Sequence, residues 1–313
     1  MNAATLTRPE PERTHPARLA PFRRLPSSAE RRLRRLHRPA LALILIATFL
    51  LRLWGVKQGL PYSYNVDEAT HFVPRAIAFF SHDLNPQYFL NPPAYSYLLH
   101  IIFEGWFGSA NAATRAYTTN PTEVFVIARV VVAALGTVAV WLTYLAGTRF
   151  FDRTVALLGA AIFGFAFLPI FYSHLALNDV PTLAPVALSL YGIAGVMRWG
   201  RQRDYVVAGV GIGLAAATKY TGGITLVCLL AAFMGDGVGN AFWPAARRFV
   251  VGVLVALATF VIANPYSVLD FSAFQWGLSQ QASLAAGQDP VKLGSTPGGG
   301  IGYYLWTFTW GLG

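Results

Sequence analysis

Cysteine, acidic side chains and charge in general are scarce in this sequence. A single cysteine, Cys228, in 313 residues excludes an internal disulfide framework and a multi-cysteine metal cage, so helix packing must organise the fold. Charged residues make up 12% of the chain, against about 25% in ordinary soluble domains. With 55% hydrophobic residues and a mean hydropathy of +0.46, lipid must supply much of the solvent. The 14 acids face 24 lysines and arginines, a net charge of +10. Nucleic acid could use such a charge, but the arginines gather near the N-terminus and in short connections between apolar runs, where membrane topology places them. Nucleic acid is therefore not an expected partner.

What is present is a series of apolar runs. Residues 1–38, rich in Pro, Arg, Ala and Glu, read as a disordered basic arm ending in Arg31, Arg32, Arg34, Arg35, His37 and Arg38. Residues 39–55 are apolar apart from Arg52 and just long enough for a spanning helix. A signal peptide shares this pattern, but the long arm and the lack of a small-residue cleavage site after Trp54 favour a topology anchor. The arm's charge would also suit anionic lipid. Further runs at 125–147, 155–172, 180–196, 205–217, 222–234 and 249–263 predict an all-α, multi-pass integral membrane bundle over 39–313. The runs at 205–217 and 222–234 are short and are expected to span as a closely packed, partly broken pair. With the N-terminus in the cytoplasm, the inner connections hold Arg149, Arg153, Arg198, Arg201, Arg203, Arg247 and Arg248, as the positive-inside rule requires. The outer connections are 56–124, 173–179, the Lys219 region and 264–300. Chemistry is expected there, on the outer face of the cell membrane. Residues 301–313, with Tyr303, Tyr304, Trp306 and Trp310, read as the aromatic start of another membrane helix, which suggests C-terminal truncation.

The outer segment 56–124 is not a plain linker. Across 92–107, Tyr95, Leu98, Leu99, Ile102, Phe103 and Trp106 fall on one helical face and Ser96, His100 and Glu104 on another. Pro92 and Pro93 suit its start and Gly105 and Gly108 its end, so the spacing predicts a helix lying in the membrane interface. A second short helix is expected from Pro74 through Phe80, with Asp67 and Glu68 in the turn before it, where backbone N–H groups favour carboxylates.

Three places stand out chemically. Asp67 and Glu68 are adjacent acids at the edge of hydrocarbon, where partial desolvation suits a carboxylate to general-base work; a solvated turn with an Asp helix cap is the bland alternative. Asp179, in the segment SHLALNDVP at 173–181, either caps the following helix or serves the same outer site. Lys219, in GLAAATKYTGG at 213–223, is an ammonium at an apolar edge; it either snorkels or binds an anion. Two carboxylate positions and one cation beside interfacial helices suit transfer from a lipid-linked phosphate.

The order of Asp67-Glu68-Ala69, Asn91-Pro92-Pro93-Ala94-Tyr95, RVVVAALG at 129–136, SHLALNDVP and GLAAATKYTGG resembles the dolichyl-phosphate-mannose-protein mannosyltransferases. These are family 39 glycosyltransferases, with the aminoarabinose transferases as relatives. The resemblance covers about 40–263 and implies a GT-C-type helical bundle with interfacial helices in the first outer loop. It further implies a polyprenyl-phosphate-linked sugar donor, a protein, lipid or glycan acceptor, and inversion in one displacement. By this resemblance Asp67 is the catalytic base and Glu68 orients the acceptor, while Asp179 and Lys219 serve the donor and Lys219 stabilises phosphate charge. Arg75 could add to that charge, without a motif match. Asn91 stands where many relatives have His-Pro-Pro. The chain also lacks the Glu-Lys-Pro of the aminoarabinose transferases, which speaks against aminoarabinose transfer to lipid A.

No cofactor is expected. A divalent metal has only His71, His82, His100 and His174 in outer segments to draw on, with His100 and Glu104 at i,i+4 spacing. A transporter would line a path through the bundle with polar groups, whereas here the spans between the acids are nearly uncharged. A non-catalytic membrane scaffold would keep the helices without needing Asp67 or Lys219.

Overall fold

The computed structural model describes residues 27–81, 83–239 and 242–285, with 306 and 309. Residues 1–26, His82, 286–305 and nearly all of the expected interfacial segment at 301–313 lie outside the described residues. Helix α1, Ser27–Leu53, starts within the arm expected to be disordered, and Pro39 lies inside it. Its apolar part, Leu36–Leu53, is long enough to cross a membrane.

The first outer segment contains three helices, α2 (Val73–Ala78), α3 (Ala94–Phe107) and α4 (Ala110–Thr119). Both expected helices are present. α4 is an addition, started by Ser109, whose hydroxyl accepts from the Ala112 amide. Gly108, at φ +67°, ends α3 in the left-handed conformation that glycine adopts without steric cost. The face expected for α3 is corrected by the packing. Tyr95, Ser96, Leu99 and Phe103 are buried, whereas Trp106 is exposed and its indole donates to Glu123 at 3.0 Å.

Membrane helices follow in the expected order: α5 (Thr122–Phe150), α6 (Arg153–Phe165), α7 (Phe167–Ser173), α8 (Asp179–Trp199), α9 (Gln202–Thr218), α10 (Thr225–Gly239) and α11 (Phe242–Ala263). Among the described residues five helical stretches are long and apolar enough to cross a membrane, or six when α6 and α7, bent by 52°, count as one. The bend falls at Ala166, extended at φ −61° and ψ 136°, just before Pro169 in the first turn of α7. It frees carbonyls at the end of α6, and the buried Arg52 guanidinium donates to one of them, Gly164 O, at 3.1 Å and to Thr48 O at 3.0 Å.

The centre of the bundle is α5, α8 and α9, with α11 packed on the outside of α9. At 17 residues, or roughly 26 Å, α9 is short for a span. Its glycines bring neighbouring backbones very close: a Cβ on Gly211 would collide with the Ser189 amide of α8, and one on Gly209 with Gly252 O of α11. Small residues at such contacts let membrane helices associate through van der Waals packing. α9 thus packs mainly on α8 and α11 rather than forming a tight pair with α10, and a 3-10 turn, Tyr220–Ile224, separates α9 from α10. Two further helices, α12 (Tyr266–Leu269) and α13 (Phe271–Ala285), follow. α13 returns to the first outer segment, where Phe89 meets Phe274 edge-on and Asn85 donates to Asp270 at 2.8 Å.

Side-chain bonds separate the two ends of the bundle. His37 meets Thr154, Arg149 meets Asp204, and Arg248 meets Asp236 at one end. At the other, His174 meets Leu51 O, Asn178 meets Thr218 O, and Asp179 meets Lys219.

Candidate active site

Asp67 begins the helical turn that leads through a π-helical segment, Glu68–Phe72, into α2. Its side chain is 63% exposed and lies 3.5 Å from His71 Nε2. The carboxylate is therefore open to solvent and to a substrate. His71 stacks on Tyr88 at 4.9 Å, and the Arg75 guanidinium carbon lies 3.7 Å over the Tyr88 ring. Arg75 also donates to His71 O at 2.6 Å and lies 3.3 Å from His71 Nδ1. Burial, then the Arg75 charge, hold the His71 imidazole below its ordinary pKa against the opposing pull of Asp67, so His71 is neutral at pH 7. Asn91 donates to the Tyr88 hydroxyl at 3.2 Å. His71, Arg75, Tyr88, Asn91, Pro92 and Ser96 line a narrow crevice.

Glu68 points the other way and is fully buried. Arg129 of α5 grips it with two parallel bonds, Nε to Oε1 at 2.7 Å and Nη2 to Oε2 at 2.8 Å. The Ser63 hydroxyl and the Ala176 amide add bonds at 2.6 and 2.7 Å. Arg129 spends its remaining donor, Nη1, on Val56 O and Gln58 O. Burial pushes the Glu68 carboxyl upward, but Arg129, Ser63 and Ala176 together hold it below the ordinary 4.5. The acceptor-orienting role expected for Glu68 is thereby corrected: its oxygens are occupied by protein donors. It ties the first outer segment to α5 and to the connection before α8, and so fixes the residue next to it, Asp67.

Asp179 and Lys219 form a second cluster, with Nζ 2.5 Å from Oδ1 and each side chain just over a third exposed. Asn178 donates to Thr218 O at 2.8 Å, fixing the ends of α8 and α9 to each other. The next residue, Tyr220, donates to Phe89 O at 2.8 Å, which joins this cluster to the segment carrying Tyr88. Arg75 and Asn91 thus share one crevice with His71, which Asp67 contacts from outside it, while Asp179 and Lys219 form a separate ion pair and Glu68 the clamp next to Asp67.

Between α3, α5, α8, α9 and α11 lies a cavity of about 640 Å³, almost wholly apolar and lined among others by Leu98, Ile101, Leu135, Val138, Leu188 and Ile262. Pro181 and Thr218 also line it, so the Asp179–Lys219 pair stands at its edge. α3 is its wall toward the crevice, with Ser96 on the crevice side and Leu98 and Ile101 on the cavity side.

Among the described residues no three His, Cys, Asp or Glu side chains come together as a metal-ligand set. His100 Nδ1 instead lies 3.1 Å from Ala76 O, and His174 Nε2 lies 3.2 Å from Leu51 O. Sequence reasoning missed Tyr88 and the role of Arg129. Nothing marks Tyr88 in the sequence. Arg129 carries a signal, because an arginine in an apolar span demands a partner.

Residues 122–264 match the family model of the dolichyl-phosphate-mannose-protein mannosyltransferases. Asp179 and Lys219 lie within the match, whereas Asp67, Glu68, Arg75 and Asn91 precede it. A solved structure titled as the Saccharomyces cerevisiae protein O-mannosyltransferase Pmt1-Pmt2 complex bound to the sugar donor aligns at a TM-score of 0.59 and 18% identity, over 76% of this chain. The chain shares that fold, a GT-C-type helical bundle. It spans about a third of the yeast protein's length, 34%. No curated protein sequence matches the chain.

Proposed function

We propose that this chain belongs to a membrane glycosyltransferase that moves a sugar from a polyprenyl-phosphate donor to a hydroxyl acceptor. The acceptor oxygen attacks the anomeric carbon from the face opposite the phosphate. The new C–O bond forms as the bond to phosphate oxygen breaks, the phosphate leaves with the electron pair, and the configuration inverts. Asp67, exposed and beside a neutral His71, takes the acceptor's proton and passes it to water. Glu68 holds Asp67 in place. Lys219 meets the donor phosphate, with Asp179 setting the ammonium's position, and sugar and acceptor meet at the exposed Asp67 carboxylate, with Arg75 and Asn91 in the crevice next to it.

One observation carries this reading: α3 separates a crevice bordered by Arg75, His71 and Asn91, next to an open carboxylate, from an apolar cavity lined by Thr218, the neighbour of the Lys219 ammonium. A lipid-linked phosphate has that same division, with a hydrocarbon chain, an anion and a sugar in sequence. Lys219→Met is expected to weaken donor binding about tenfold or more, as the loss of one charge-assisted contact of about 1.5–3 kcal/mol implies. Turnover of bound donor should change less. Titration of membranes with labelled donor measures this; donor affinity equal to the parent's would remove Lys219 from the donor site.

The arginine-rich connections at the opposite end support a reacting face on the outside. Cysteines introduced as Ser109→Cys and Gln202→Cys, each in a Cys228→Ser background, report it. On intact cells an impermeant thiol reagent is expected to label position 109 and spare 202; the reverse pattern inverts the topology.

A further inference from the structure

We propose that the end of the bundle remote from Asp67 holds a binding site for the headgroup of an anionic phospholipid, built around Trp199. α8 runs 21 residues from Asp179 to Trp199, about 30 Å, so this site is separate from the one above and stands whether or not the chain transfers sugar.

Trp199 is the last residue of α8 and is 40% exposed. Gly200, at φ +58°, turns the chain sharply, so that Arg198 and Arg201 both reach the same indole, their guanidinium carbons 5.3 and 5.0 Å from the ring centre. A third guanidinium, Arg149 of α5, lies 5.3 Å from that ring and is held there by Asp204 at 3.0 Å, by Tyr191 O at 2.8 Å and by stacking on Tyr191. Three cations around one ring repel each other unless anions offset them.

The nearby carboxylates are engaged elsewhere. Asp204 is taken by Arg149, Asp236 by Arg248 and the Tyr205 hydroxyl, and Asp152 by the Thr154 and Val155 amides at the start of α6. Among the described residues Arg198 and Arg201 have no carboxylate partner, although Arg198 donates to Arg149 O at 3.2 Å. Exposed Arg153 and Arg203 stand at the adjoining helix starts, likewise without one. A half-exposed indole at the end of a membrane helix sits at headgroup depth. Guanidinium pairs bind phosphate by parallel hydrogen bonds. A lipid phosphate brings the missing anion at the depth where the ring anchors, and its acyl chains can lie along the exposed apolar side of the helices.

Native mass spectrometry tests this on the full chain in detergent micelles containing equal phosphatidylglycerol and phosphatidylcholine with identical acyl chains. The parent is expected to retain phosphatidylglycerol preferentially. Arg198→Gln/Arg201→Gln should lower that preference about thirtyfold, taking about fivefold for each arginine near an anionic lipid surface. Lys57→Gln/Arg115→Gln removes the same charge from exposed positions in the first outer segment, at the opposite end, and should leave the preference intact. Added inorganic phosphate should not displace the lipid. Equal loss in both double variants, no loss in the first, or displacement by free phosphate would each overturn the proposal. Matching thermal unfolding of both variants and parent excludes misfolding as the cause.

Discussion

Asp67→Asn is expected to lower the rate of sugar transfer by about 10²–10⁴-fold, the usual contribution of a positioned general base. The amide keeps the size and hydrogen-bonding shape of the carboxylate but cannot accept the acceptor's proton. Because Asp67 is 63% exposed and only 3.5 Å from His71, it makes few bonds that the protein needs for folding. Thermal unfolding of the variant should therefore match the parent's. Donor affinity should also persist, since the phosphate contacts are assigned to Lys219. Single-turnover assays with labelled donor in the full-length protein separate the two quantities. A variant that transfers at the parent's rate would reduce Asp67 to a helix-start residue.

Glu68→Gln should do the opposite, acting first on stability. It leaves the Arg129 guanidinium buried with its carboxylate partner gone, and breaking a buried pair from one side costs about 3–5 kcal/mol. The expected results are a lower unfolding temperature in detergent and a mobile first outer segment, read as faster proteolysis between residues 56 and 72. Glu68→Gln/Arg129→Met, which removes both charges, should recover part of the stability. The pH dependence has a definite sign. The native Glu68 carboxyl titrates below its ordinary 4.5, so its contribution is fully present above about that pH in the unfolded-state scale and is lost as pH falls through the native value. Glu68→Gln should flatten that part of the acid-unfolding curve. Unfolding identical to the parent's across this range would show that the clamp does not hold the segment.

Much of this arrangement is legible in the sequence because lipid enforces strong patterns. Each apolar run from 125–147 to 249–263 became a helix or a bent pair, since an unsatisfied backbone in hydrocarbon leaves few alternatives, although α9 at 17 residues falls short of a full span. α2 and α3 were legible from proline placement and helical periodicity. The start of α1 was not: Pro39 follows a basic run that resembles a linker, yet the helix continues through it. Adjacent Asp67 and Glu68 were indistinguishable by type. Their division into one open and one buried carboxylate depends on Arg129, more than sixty residues away, and on the Ala176 amide. The Asp179–Lys219 pairing also eluded the sequence, because both residues invite separate explanations until α8 and α9 are laid side by side. The crevice around Tyr88 depends on aromatic stacking between segments that carry no shared motif.

The central claim is that the donor is a lipid-linked phosphate held with its chain in the α3-walled cavity and its sugar toward Asp67. The most direct measurement is transfer of radiolabelled sugar by the purified full-length protein, offered in parallel as polyprenyl-phosphate sugar and as nucleotide sugar, with a hydroxyl acceptor present. Label should move from the polyprenyl-phosphate donor alone, with inverted anomeric configuration in the product, and Leu98→Trp, which fills the cavity, should suppress that transfer. Transfer from the nucleotide sugar, retention of configuration, or indifference to Leu98→Trp would contradict the account.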